Sequence, residues 1–286
     1  PAPKGIGSTT FGEYAEPFFD WDRCPHVRRL QEDGKSIGNR HIRESRHRLT
    51  RYILPDPFSD IPLTQITRGD VLDLRSRLRE KQSDNAVNKI MKTLKTVFAE
   101  ALYRQDIENN PASQIGNIKY EKTELGIFTL EELFSFFPGD SIGPWEDIYD
   151  YTCFLLAATT GMRRGEILAL KWRSVDFKQS FLHIVEAWKD RYELGKPKWN
   201  KTRIVPLSSR AVESLRKLKE KSKRTEPDDL VFCYADGKRF GDTWWQKRFR
   251  KAMGKAKIDY AKRNLKPHSF RHTLNTVLRN AGQDPA

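Results

Sequence analysis

The sequence predicts a mainly α-helical protein with a small antiparallel β-sheet, arranged as a helical domain followed by a mixed α/β domain. Three observations predict it. At 286 residues the chain is longer than one typical domain, so two cores are the better expectation. Apolar positions recur at helical spacing through the first hundred or so residues, with polar turns between the runs. Short strand-like runs are confined to the middle of the second half.

In chain order, helices are expected over residues 11–19, over NRHIRESRHRLTRYI and over TRGDVLDLRSRLREK. The clearest follows them. Val87, Ile90, Leu94, Val97, Phe98, Ala101 and Leu102 recur at helical spacing, while Lys89, Lys92 and Lys95 lie toward another face. That gives one face for a core and one for a phosphate backbone, although a lysine face on a single helix is more often simply solvated. Residues 1–115 therefore read as a helical domain, basic on one side, with no repeat period or low-complexity tract. Pro111, Gly116 and a mixed-charge stretch mark a linker over 116–126. The second domain, 127–286, opens at FTLEELFSFF, where Thr129 and Glu132 form a capping-box pattern ahead of apolar residues. A helix apolar enough to be buried is expected over 149–158. FLHIVEAW and TRIVPL read as strands joined by the glycine-containing KDRYELGKPKWNK, and helical patterns resume at Arg210 and continue to the end.

Lys and Arg exceed Asp and Glu by 52 − 38 = +14, so the natural partner is a polyanion, nucleic acid first and an anionic membrane surface second. No apolar run approaches the ~18 residues that span a bilayer, and no signal peptide opens the chain, which sets the membrane reading aside and points to the cytoplasm. Cys24, Cys153 and Cys233 are odd in number and lack CxxC or metal-like spacing, so they read as unpaired thiols of a cytosolic protein. Starting at Pro1 without methionine and stopping at Ala286 soon after a helical pattern, the sequence reads as a fragment.

Four positions stand out when taken together. In TTGMRRGEILALKW, Arg163 follows a glycine and is succeeded at i+3 by Glu166, which can hold the guanidinium in a fixed orientation. Spacing alone favours an ordinary helix ion pair there. Lys198 lies in KWNKTRIVPL, one lysine among many. HSFRHT places His268 and Arg271 at i and i+3 on one helical face, where a lone histidine is usually a cap or a core residue. Two donor forks, an imidazole and an ammonium, without paired carboxylates nearby in sequence, describe a site for a phosphodiester whose charge grows in the transition state.

In combination these motifs resemble the tyrosine recombinase, or phage-type integrase, family. Its first box is TGxRxxE followed by an apolar helix and LxW, and this chain has TGMRRGEILALKW. The match makes Arg163 the counterpart of the first catalytic arginine and Arg164 a variable neighbour. The family's hairpin lysine precedes RxVPL, which places Lys198, with Lys196 and Lys201 as alternative registers. The second box, HxLRHT, is present as HSFRHT, giving His268 and Arg271 as catalytic positions and His272 as a structural neighbour. The basic helical segment is similar to the family's core-binding domain, so the resemblance covers nearly the whole chain.

The resemblance implies a site-specific DNA recombinase of a mobile element that cuts and rejoins duplex DNA through a 3′-phosphotyrosyl link, self-associates on DNA as a synaptic tetramer, and needs neither metal nor another cofactor. Arg163 and Arg271 would bind the scissile phosphate, His268 would assist proton transfer, and Lys198 would protonate the leaving 5′ oxygen. The nucleophilic tyrosine and the preceding glycine–His and His-or-Trp motif are expected beyond Ala286, since the last of nine tyrosines is Tyr260 and none follows His268. Three alternatives remain at this level. A non-catalytic DNA-binding regulator fits the fragment equally well, a metal-dependent nuclease lacks clustered ligands in the sequence, and a type IB topoisomerase suits the separate small helical domain less well.

Overall fold

A computed structural model describes residues 8–35, 37–121, 123–190, 193–197 and 201–283. The chain divides into two compact units, Pro1–Lys122 and Thr123–Ala286. Most regular structure is helical, with short antiparallel strands in the second unit.

In the first unit, α1 (Phe11–Ala15) starts at a full capping box between Thr10 and Glu13. The expected helix over 11–19 stops early because Pro17 has no N–H to give to the carbonyl of residue 13. Phe18 and Phe19 still turn into the core, Phe19 with φ 59°. Next come α2 (Pro25–Glu32), α3 (Asn39–Arg48), a π-type turn over Leu49–Ile53, α4 (Arg68–Lys81) and α5 (Asp84–Tyr103). Val87, Ile90, Leu94, Val97, Phe98 and Ala101 of α5 are buried as the periodicity requires, and Phe98 meets Phe11 at 5.4 Å between ring centroids. Leu102 departs from the expectation: at the edge of the apolar stripe in the last turn, it is exposed. Asn88 fixes residue 118 in both directions, its amide donating to Ile118 O at 2.9 Å and its carbonyl accepting from Ile118 N at 2.9 Å.

In the second unit α6 (Leu130–Phe136) opens with the Thr129–Glu132 capping box. Buried α7 (Ile148–Thr160) then runs through the core. A short helix, α8 (Arg164–Leu168), leads into β1 (Val175–Asp176), β2 (Phe181–Ile184), β3 (Ala187–Trp188), β4 (Leu194–Gly195) and β5 (Arg203–Pro206). The run FLHIVEAW is thus divided between two sheets: β1-β2-β5, antiparallel throughout, and the antiparallel pair β3-β4. Helices α9 (Ser209–Lys221), α10 (Asp242–Lys255) and α11 (Ser269–Asn280) complete the unit, and α7 packs against α9 and α11. The core is rich in aromatic rings. Phe154 stacks on Trp145 at 4.5 Å, and Phe270 stacks on Phe128 at 4.5 Å. Among the described residues no helix is long and apolar enough to cross a membrane.

Candidate active site

The turn between α7 and α8 is what aims Arg163. At Gly161 the chain enters the left-handed region with φ 61°, where a side chain would be strained, and a Cβ there would stand 3.1 Å from Leu274 Cδ2 on α11. Met162 is buried, and Arg163 stands in extended conformation as the residue capping α8. Glu166, at the third position of that helix, reaches back so that its Oε2 accepts the Arg163 backbone N–H at 2.8 Å. Arg163 Nη1 donates to Glu166 Oε1 at 3.3 Å, so the pairing expected from the i+3 spacing is present.

The principal partner of Glu166 lies elsewhere. Arg203, at the start of β5, donates from Nη1 to Oε1 at 3.0 Å and from Nη2 to Oε2 at 2.7 Å, a bidentate fork on a carboxylate only 2% exposed. Burial alone would raise the Glu166 pKa. The bonds from Arg203 and from the Arg163 backbone, with the charges of both arginines, win and hold it below the usual carboxylate range. The strand register explains how Arg203 arrives there. It pairs with Ile184 while Val205 pairs with Leu182, so Arg203 ends the core-facing row of the sheet, and exposed Ile204 points the other way. Sequence reasoning missed Arg203 because the i+3 spacing already gave Glu166 a partner. The signal was an arginine in phase with buried Val205.

The second half of the site is α11. Phe270 is buried in the aromatic core, and Thr273 Oγ1 accepts from Phe128 N at 2.9 Å and donates to Ser269 O at 2.8 Å. These anchors fix the helix by the side opposite Arg271. Arg271 Nη1 donates to the carbonyl of Gly161, which joins α11 directly to the turn that presents Arg163. Burial, then the charge of Arg163 and with it Arg203, lower the Arg271 pKa, with Glu166 opposing. His268 stands just before α11, its ring edge-to-face with that of exposed His272 at 4.9 Å. Partial burial, then His272, Arg271 and Arg163, hold its pKa below the ordinary histidine value, which favours the neutral ring. A positive cluster results, in which the charge of Arg163 is felt at both Arg271 and His268, and that of Arg203 at Arg271.

Of the two adjacent arginines only Arg163 belongs to this cluster. Arg164 Nη2 lies 3.3 Å from Asp242 Oδ2 and ties α8 to the start of α10. Lys198 lies outside the described residues; Lys196 and Lys201, the alternative registers, are exposed. In the helical unit Lys89 and Lys92 are exposed on α5, whereas Lys95 is half-buried and donates to the carbonyl of Ile115. Among the described residues no group of three or more His, Cys, Asp or Glu side chains is placed to hold a metal ion. Cys24 and Cys153 are buried free thiols, and Cys233 is half-buried and free.

A model of the phage integrase family matches residues 131–286, more than half of the chain. The ICEBs1 integrase of Bacillus subtilis (strain 168) is 25% identical over 271 residues, covering 88% of this chain and 67% of that protein. Tyrosine recombinase XerC of Chlamydia trachomatis is 24% identical over 216 residues, 74% of this chain and 64% of that protein. The chain thus spans about two thirds of the length of these curated relatives. Among solved structures, the Tn1549 transposon integrase in complex with a circular intermediate DNA superposes with a TM-score of 0.74 at 19% identity, over 97% of this chain and 89% of that one. A lambda integrase tetramer bound to a Holliday junction gives 0.73 at 16% identity, over 98% and 76%. These likenesses establish a shared fold, and with the family match the conclusion is that the chain belongs to the phage integrase family.

Proposed function

We propose that this chain is the core-binding and catalytic part of a site-specific DNA recombinase of a mobile element, acting in the cytoplasm of a bacterial cell. The observation that carries the reading is the placement of Arg163 and Arg271 at the single Gly161 turn, with His268 at the start of the same helix as Arg271. Two arginine forks brought to one turn suit the non-bridging oxygens of a scissile phosphate. In the reaction a tyrosine phenol oxygen, supplied by sequence beyond Ala286, attacks phosphorus while His268 takes its proton. The bond from phosphorus to the 5′ oxygen breaks, Lys198 gives that oxygen a proton, and a 3′-phosphotyrosyl link remains. Rejoining runs the same steps backward, so the phosphodiester energy is conserved without an external energy source. Arg163 and Arg271 neutralise the charge that builds on the pentacoordinate phosphorus.

The helical unit supplies grip rather than chemistry. Exposed Lys89 and Lys92 on α5, together with the surplus of +14, suit the phosphate backbone of duplex DNA, whereas Lys95 is tied to the Ile115 carbonyl. Self-association on DNA as a tetramer is part of the same reading, supported by the lambda integrase tetramer on a Holliday junction.

The test is a covalent one. A reading frame extended through the tyrosine should form an SDS-resistant adduct with a nicked suicide duplex, and the 286-residue chain should not. An adduct on the 286-residue chain would make one of its own tyrosines the nucleophile. A longer protein that binds DNA without ever forming an adduct would favour the non-catalytic regulator.

A further inference from the structure

We infer that Arg203 is a positioning residue for the Arg163 guanidinium, an inference that rests on the phosphoryl-transfer reading above. Glu166 has two jobs that conflict. Its carboxylate orients the turn by accepting the Arg163 backbone N–H at 2.8 Å, yet as a buried anion beside a guanidinium it also competes with any phosphate for that guanidinium. Arg203 resolves the conflict by taking both carboxylate oxygens in a fork at 3.0 and 2.7 Å. Arg163 engages Glu166 through one terminal nitrogen at a longer 3.3 Å, and its side chain stays 40% exposed against 25% for Arg203. The arginine that faces outward can therefore meet a ligand, while the inner one holds the carboxylate.

Charge points the same way. Arg163, Arg203 and Arg271 against Glu166 leave 3 − 1 = +2, and the same groups without Arg203 leave 2 − 1 = +1. A phosphodiester attacked by a phenolate carries two negative charges at the pentacoordinate stage, one more than before attack, so a site poorer by one cation holds that stage less well. Without Arg203, Glu166 would turn to Arg163 and form the bidentate pair itself, removing the fork from the phosphate. Lysine cannot fully replace Arg203, because one ammonium cannot bond both oxygens in a plane.

Two measurements test this. On the 286-residue chain, arginine side-chain NMR follows the Arg163 Nε–H signal during titration with inorganic phosphate. The wild type should shift, Arg203→Met should lose the response, and Arg203→Met combined with Glu166→Gln should recover it, because the competing charge is gone. On the longer reading frame, single-turnover cleavage of a suicide duplex should fall at least 100-fold in Arg203→Met and less in Arg203→Lys, with DNA affinity within threefold of wild type. The Arg203→Met deficit should shrink to less than tenfold when a neutral methylphosphonate replaces the scissile phosphate. A merely structural role predicts the same deficit on both substrates and no rescue by Glu166→Gln, and either result overturns the inference. So does an Arg163 phosphate response that survives in Arg203→Met. If the wild-type longer protein forms no adduct while the phosphate titrations behave as expected, the recombinase reading fails and the role of Arg203 stands.

Discussion

Replacing Asp150 by Asn should stabilise the second unit, and more so at high pH. Asp150 lies in the first turn of α7, 1% exposed, with Oδ1 3.4 Å from Arg248 Nε but without a hydrogen bond, while Oδ2 accepts Glu146 N at 3.3 Å. Burial first, then the neighbouring charge of Asp147, push its pKa up to about 7 against the favourable charge of Arg248. The folded state thus keeps a proton that the unfolded chain has released above pH ~4, so stability falls as pH rises from ~4 to about 7 and is level above that. At about 1.4 kcal/mol per pH unit, the loss by pH 8 is on the order of 4 kcal/mol, of which about two fifths is already present at pH 5. Asparagine keeps the acceptor for Glu146 N and does not titrate. Urea unfolding followed by tryptophan fluorescence, which reports on Trp145 and Trp245 in the same core, should therefore show an advantage for Asp150→Asn at pH 8 that falls to about two fifths at pH 5. An advantage equal at both pH values, or a loss at pH 8, would refute the reasoning.

Two further expectations follow from packing and charge. At Gly165 an added Cβ would come within 2.2 Å of the backbone oxygen of Trp188 on β3, so Gly165→Ala should cost about 1–3 kcal/mol, read as a lower urea midpoint. Duplex binding by the 286-residue chain should weaken steeply with salt, with Lys89→Ala and Lys92→Ala each lowering the log–log slope by about 1, and EDTA should leave affinity unchanged at constant ionic strength.

How far the sequence could be read depended on whether a feature was local. Helix α5 was legible because Val87 through Ala101 encode one buried face, and α6 because Thr129 and Glu132 satisfy each other within a single turn. The mixed fold with its antiparallel strands was legible from composition and periodicity, and the family from the spacing within TGMRRGE and HSFRHT. Long-range pairings were not. Arg203 meets Glu166 across 37 residues, and Arg271 meets the Gly161 carbonyl across 110, contacts that no periodicity encodes. The early end of α1 could have been read from Pro17. The exposure of Leu102 could not, since it depends on which elements reach the last turn of α5.

The central claim is that Arg163 and Arg271 act together on one phosphate, and single-turnover cleavage by the longer reading frame tests it most directly. Arg163→Lys and Arg271→Lys should each abolish the 3′-phosphotyrosyl adduct while leaving duplex affinity nearly unchanged, because an ammonium cannot reproduce the bidentate fork and lysine keeps the charge that sets overall binding. The double variant should be no worse than either single one, as expected of groups that work as a unit. Adduct formation at near wild-type rates by either single variant, or loss of adduct only in proportion to lost DNA binding, would contradict the account.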